Sequence, residues 1–138
     1  MRAYVQSFVA GFVSTLVFHQ GLLYLLHASG RVPFAPYNLT PVPPLGVPAV
    51  FSLAFWGGVW GIALWWLIAN ARGAQYWLRA LAIGAIAPSA VALFLVFPLK
   101  GREFAAGWDP KIIVGALLLN GAWGIGVALF MKLMRRGV

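Results

Sequence analysis

The chain has 138 residues, is 62% hydrophobic, lacks cysteine and carries a formal net charge of +8. That apolar share lies far above the roughly 45–50% of soluble domains, and the length leaves room for one domain. Composition therefore excludes a water-soluble fold, disulfides and thiolate chemistry. The basic excess points to membrane headgroups rather than nucleic acid, because the ten Lys and Arg residues fall at the ends of apolar runs.

A helix needs roughly 20 apolar residues to cross the ~30 Å hydrocarbon layer. Four stretches meet that length, at about 4–27, 48–69, 80–97 and 112–131. They predict an all-α integral membrane protein made of a single four-helix transmembrane domain. The first stretch far exceeds the 7–15 apolar residues of a secretion signal, so it is read as a spanning helix.

One face of the first helix carries Ser7, Gly11, Ser14, Thr15, Phe18 and Leu22, with His19 on its flank. The opposite face carries Gln6, Gln20, Tyr24 and His27. Gln20 lies about 10 Å below His27 at the helical rise, where lipid offers no hydrogen-bond partner. Its amide needs cover from the following loop, another helix or a second subunit.

The segment from Ser29 to Val47, with Pro48 behind it, contains six of the nine prolines together with Phe34, Tyr37 and Leu39. Proline removes backbone donors, so neither regular helix nor sheet is expected. The apolar content predicts a loop lying along the membrane surface or folded over the mouth of the bundle.

In the second helix Ala54, Gly57, Gly58, Gly61 and Trp65 share one face, and Gly57, Gly58 and Gly61 form a close-packing surface. The connection from Asn70 to Arg79 is short, so helices two and three should be antiparallel neighbours. In helix three, Ser89 follows Pro88, which frees a carbonyl near Gly84. The next connection holds Glu103 and Asp109, the only two acids of the chain. Asp109 before Pro110 is a good helix start.

Helix four carries Gly115, Ala122 and Gly126 toward one side, and Asn120, Gly121, Gly124 and Ala128 toward the other. Two small-residue faces suggest contact with a second copy or another membrane subunit. Gly58-Val59-Trp60-Gly61-Ile62 also matches Gly121-Ala122-Trp123-Gly124-Ile125, 63 residues on. The match predicts two duplicated helical hairpins related by an axis along the membrane normal.

Orientation follows from Lys and Arg in the short connections. Arg2, Arg72, Arg79, Lys132, Arg135 and Arg136 lie on one side, against Arg31, Lys100, Arg102 and Lys111 on the other. Six against four predicts a cytoplasmic-membrane protein with both termini in the cytoplasm.

Three functional readings stay open. The first is a non-catalytic protein acting as a homo-oligomer or as a subunit of a larger membrane assembly, packed through Gly57, Gly58, Gly61, Gly115, Gly124 and Gly126. The second is an oligomeric transporter or channel, with His19, Ser89 and Asn120 meeting in a polar cluster at mid-depth; a buried ionisable group in a membrane is a functional candidate. The third is a lipid-headgroup enzyme on the outer face, where His27, Arg31, Lys100 and Arg102 form a phosphate-attracting set and His27 or Glu103 would act as acid or base. No carboxylate lies in any span, which excludes a Ser-His-Asp triad. No metal or cofactor is called for, and membrane lipids are the expected partners beside protein subunits.

Overall fold

In a computed structural model, which describes residues 1–136, four helices dominate: α1 (Arg2–Ala28), α2 (Ala49–Ile68), α3 (Ala74–Leu99) and α4 (Pro110–Arg136). Each is long and apolar enough to cross a membrane, so this is an all-α, multi-pass membrane protein. Four alternating helices bring both termini to one end of the bundle, here the terminal end; the opposite end is the loop end.

The third and fourth helices outrun their apolar stretches. α3 begins at Ala74, six residues before the apolar run, and carries Gln75 and Arg79 in its first turns. α4 continues to Arg136. Polar residues extend a helix beyond the hydrocarbon without cost, because helix propensity does not require burial. The connection between α2 and α3 shrinks accordingly to Ala69–Gly73. At the start of α4 the expected cap is present, with the Lys111 amide donating to the Asp109 carboxylate at 3.0 Å.

The helices are ordered α2–α1–α4–α3, and α2 and α3 meet only lightly. Backbone approach sets the two hairpins. A Cβ on Gly11 would strike the Gly57 carbonyl, and one on Gly61 the Ser7 carbonyl. In the second hairpin a Cβ on Gly124 would strike the Ala80 carbonyl, while Gly84 lies against Gly124 and Asn120. The matched glycines Gly61 and Gly124 thus hold equivalent places in the two hairpins, as the sequence repeat predicts. The core lies in the terminal half, where Ala10, Leu64, Ile68, Tyr76, Ala80, Trp123, Val127 and Met131 are buried together.

Both first helices of the hairpins contain a widened π-type turn, at Thr15–His19 in α1 and Ala92–Val96 in α3. In α1 it begins where the Thr15 hydroxyl donates back to the Gly11 carbonyl at 2.8 Å, a contact that competes with regular helix bonding.

The proline-rich segment is ordered. Pro41–Val42 pairs antiparallel with Val47–Pro48, a minimal ladder that the proline content did not predict. Gly46, at φ +72°, closes the turn between them. The carbonyls of Thr40 and Asn38 accept from the Ala49 and Val50 amides at 2.9 Å each. These loop carbonyls satisfy amides of the first turn of α2, a role usually taken by a side-chain cap.

Candidate functional site

Polar side chains inside the spans are few, and among the described residues every buried side-chain nitrogen or oxygen has a partner. The densest group surrounds the π turn of α1. The Gln20 amide bonds the Thr15 carbonyl, five residues back, and passes over its regular partner, the Leu16 carbonyl. Leu16 instead accepts a hydrogen bond from the Tyr37 hydroxyl at 2.8 Å. The Tyr37 backbone amide donates to Gln20 Oε1 at 2.8 Å. Gln20 is only 4% exposed as a result. Of the three covers considered for this amide, the proline-rich loop supplies it. Gln20 therefore makes no demand for a second subunit.

His19 takes part in the same chain of bonds. With Oε1 of Gln20 fixed by the Tyr37 amide, its Nε2 is the donor that lies 3.0 Å from His19 Nδ1. A neutral ring accepting at Nδ1 keeps its proton on Nε2. The tautomer is thus set by a neighbour in sequence, not by a distant helix.

Ser89 and Asn120 meet across the α3–α4 seam, with Asn120 Nδ2 donating to Ser89 Oγ at 2.9 Å. Ser89 is buried and Asn120 partly so. The expected three-residue cluster is therefore divided: Ser89 and Asn120 come together, whereas His19 is bonded to Gln20 instead. The helix periodicity placed all three at comparable depth, but the π turn and Tyr37 decide how the ring at α1 is held.

Further polar bonds tie α1 to α4. Ser14 Oγ donates to the Trp123 carbonyl at 2.7 Å, and Trp123 Nε1 donates to the Gly11 carbonyl at 3.1 Å. Near the terminal end the Tyr76 hydroxyl donates to the Ala128 carbonyl at 2.6 Å. Among the described residues, no buried side-chain nitrogen or oxygen lacks a partner. Sequence reading missed Tyr37, Tyr76 and Trp123 as hydrogen-bond donors. The only available signal was the unmet demand at Gln20, which did not say which loop residue would answer it.

The outer set lies at the surface. His27, Arg31, Lys100 and Arg102 are all exposed. His27 Nδ1 pairs with the Val32 carbonyl at 3.1 Å, and the Arg102 guanidinium lies 5.4 Å from the centre of the Phe97 ring.

The packing glycines are consumed inside the chain. Gly57 and Gly61 face α1, Gly58 lies under the Phe8 ring, and Gly124 faces α3. Gly126 is covered by Ser14 and Phe18 of α1. Only Gly115 of the six has open space where a Cβ would stand. The two small-residue faces of helix four are needed because α4 is packed between α1 and α3, and this corrects the inference that they exceed what one bundle requires.

Fold and site together define a compactly bonded, multi-pass helical membrane protein. The chain matches no family model, no curated protein and no solved structure.

Proposed function

We propose that the protein is a non-catalytic membrane subunit that associates with a second copy or with another membrane protein. The observation that supports this reading is the open face of α2. Phe51, Phe55, Val59 and Trp66 are 45%, 48%, 40% and 70% exposed. Their spacing puts them on one side of the helix, in a stripe about 22 Å long at the helical rise. Such a stripe offers the broad van der Waals contact through which helices associate in lipid, where hydrophobic transfer contributes nothing. The glycine seams leave no comparable surface. The buried polar groups favour the same reading, since all of them have partners within the chain among the described residues.

The cytoplasmic membrane, with both termini in the cytoplasm, is the setting proposed. The six Lys and Arg residues of the terminal end against four at the loop end support it.

Chemical cross-linking in intact membranes, followed by purification in mild detergent, tests the proposal. A defined oligomer or a stoichiometric membrane partner is expected, and Phe55→Ala with Trp66→Ala should dissociate it without unfolding the bundle. A monomer with no partner in both membranes and detergent would overturn the reading.

A further inference from the structure

A cavity of about 300 Å³ opens at the terminal end, between the end of α2, the start of α3 and the last turns of α4. Its walls include Trp65, Tyr76, Lys132, Arg135 and Arg136, and buried Met131 lies at its floor. Three cations thus border one recess. Glu103 and Asp109 are the only acids of the chain, and both stand in the connection at the opposite end. No Asp or Glu side chain can neutralise the group.

The recess is also preorganised. The Tyr76 hydroxyl is tied to the Ala128 carbonyl, which fixes its ring as a wall, and Lys132 Nζ stands 4.9 Å from the centre of that ring. The Arg135 guanidinium lies 5.5 Å from the centre of the Trp65 ring, and its Nη1 donates to Gln6 Oε1 at 3.2 Å. Aromatic faces and one neutral amide hold these cations in place without cancelling their charge. Guanidinium and ammonium donors in such an arrangement fit phosphate oxygens. α3 starts at the same level, and its N-terminus carries no side-chain cap.

A simpler role would be compensation of helix ends, since cations stabilise the C-termini of α2 and α4. That role asks only for charge near the axis. It does not account for a 300 Å³ recess, nor for two cations seated on aromatic rings.

We infer that this cavity is a binding site for the phosphate headgroup of an anionic membrane lipid. Basic pockets between spanning helices bind such headgroups, and the recess sits where they would lie if the apolar spans fill the bilayer. The inference does not rest on the proposed α2 contact, since none of Phe51, Phe55, Val59 and Trp66 lines the cavity.

The test is native mass spectrometry of the full chain after incubation with phosphatidylglycerol or phosphatidylcholine in mild detergent. One phosphatidylglycerol should be retained in clear preference to phosphatidylcholine. Lys132→Gln with Arg135→Gln should weaken that retention roughly 30-fold, from about fivefold per charge removed. Arg72→Gln with Arg79→Gln removes equal charge from the same end but outside the cavity, and should change retention by no more than about twofold. If the first pair proves unfolded by its thermal transition, Arg136→Gln at the exposed rim replaces it, with roughly fivefold loss expected. Retention unaffected by the cavity variants, or lost equally in both pairs, would overturn the site. Inorganic phosphate at about 10 mM separates the two sources of the same chemistry. It should neither stabilise the lipid-free protein nor displace phosphatidylglycerol. Stabilisation by phosphate without any lipid preference would overturn the lipid assignment.

Discussion

The two hairpins are built alike and joined unequally. Each packs its helices through glycine backbone contact, around Gly61 in one and Gly124 in the other, and each has a π turn in its first helix. A twofold arrangement would make the α1–α4 seam equivalent to the α2–α3 seam. They differ at the matched tryptophans. Trp123 is 3% exposed and donates to the Gly11 carbonyl, whereas Trp60 borders a small apolar crevice of about 30 Å³ between α2 and α3, together with Gly84, Pro88 and Trp123. The same local sequence thus makes a hydrogen-bonded seam on one side and an open one on the other. Glycines determine how close two helices come within a hairpin, but side-chain donors determine which hairpin faces close.

The largest expected effect comes from breaking what the hairpins share. Gly61→Leu and Gly124→Leu each drive a side chain into a backbone carbonyl that cannot move independently, and each should cost about 3 kcal/mol or more. Gly115→Leu, with open space at its Cβ position, should stay within about 0.5 kcal/mol. Reversible unfolding in mixed detergent micelles measures all three. Since Gly→Leu raises helix propensity, equal losses at Gly61 and Gly115 would show that close backbone approach does not distinguish the two sites.

Next comes the difference between the seams. Trp123→Phe removes the bond to Gly11 and leaves a gap, at about 1–2 kcal/mol. Trp60→Phe removes part of a crevice wall and should cost less than about 0.5 kcal/mol. Equal effects would mean that the α2–α3 seam is closed in the membrane.

The π turns offer a finer contrast. In α1 the bypassed Leu16 carbonyl is met by Tyr37, while in α3 the Phe97 amide reaches back to Ala92 and no side-chain donor meets Leu93 among the described residues. Tyr37→Phe should therefore cost about 1 kcal/mol. It should also speed hydrogen exchange at the Ala49 and Val50 amides, which the same loop holds. Unchanged exchange would show that the loop stays on α2 without the Tyr37–Leu16 bond.

How much of this was legible in the chain depends on periodicity. The four spans, the Gly57–Gly61 face and the Asp109–Pro110 start rest on local spacing, and the structure keeps them. The demand at Gln20 was also legible, because burial cost follows from helix geometry alone. Its answer was not, since Tyr37 reaches α1 only after the prolines and the Asn38 and Thr40 carbonyls fix the loop on α2. A π turn is equally invisible to a reading at 100° per residue, and it leaves the Leu16 carbonyl for Tyr37 to meet. The unequal seams could not be inferred, because Trp60 and Trp123 sit in nearly identical sequence.

The smallest effect tests whether the Ser89–Asn120 bond matters to the second hairpin, whose glycine contact lies one turn away at Gly84 and Gly124. Hydrogen bonds between spanning helices average about 0.6 kcal/mol, because the unfolded chain in lipid finds partners too. Asn120→Leu leaves Ser89 able to donate to a carbonyl of its own helix, so the single change should be cheap. A double-mutant cycle with Ser89→Ala isolates the pair, and a coupling near 0.6 kcal/mol is expected. The corresponding cycle for Ser14 and Trp123 is confounded, since Ser14 bonds the Trp123 carbonyl rather than its side chain. If the Ser89–Asn120 coupling exceeded about 2 kcal/mol, the second hairpin would depend on its polar pair as strongly as on its glycines, and the shared building rule of the two hairpins would fail.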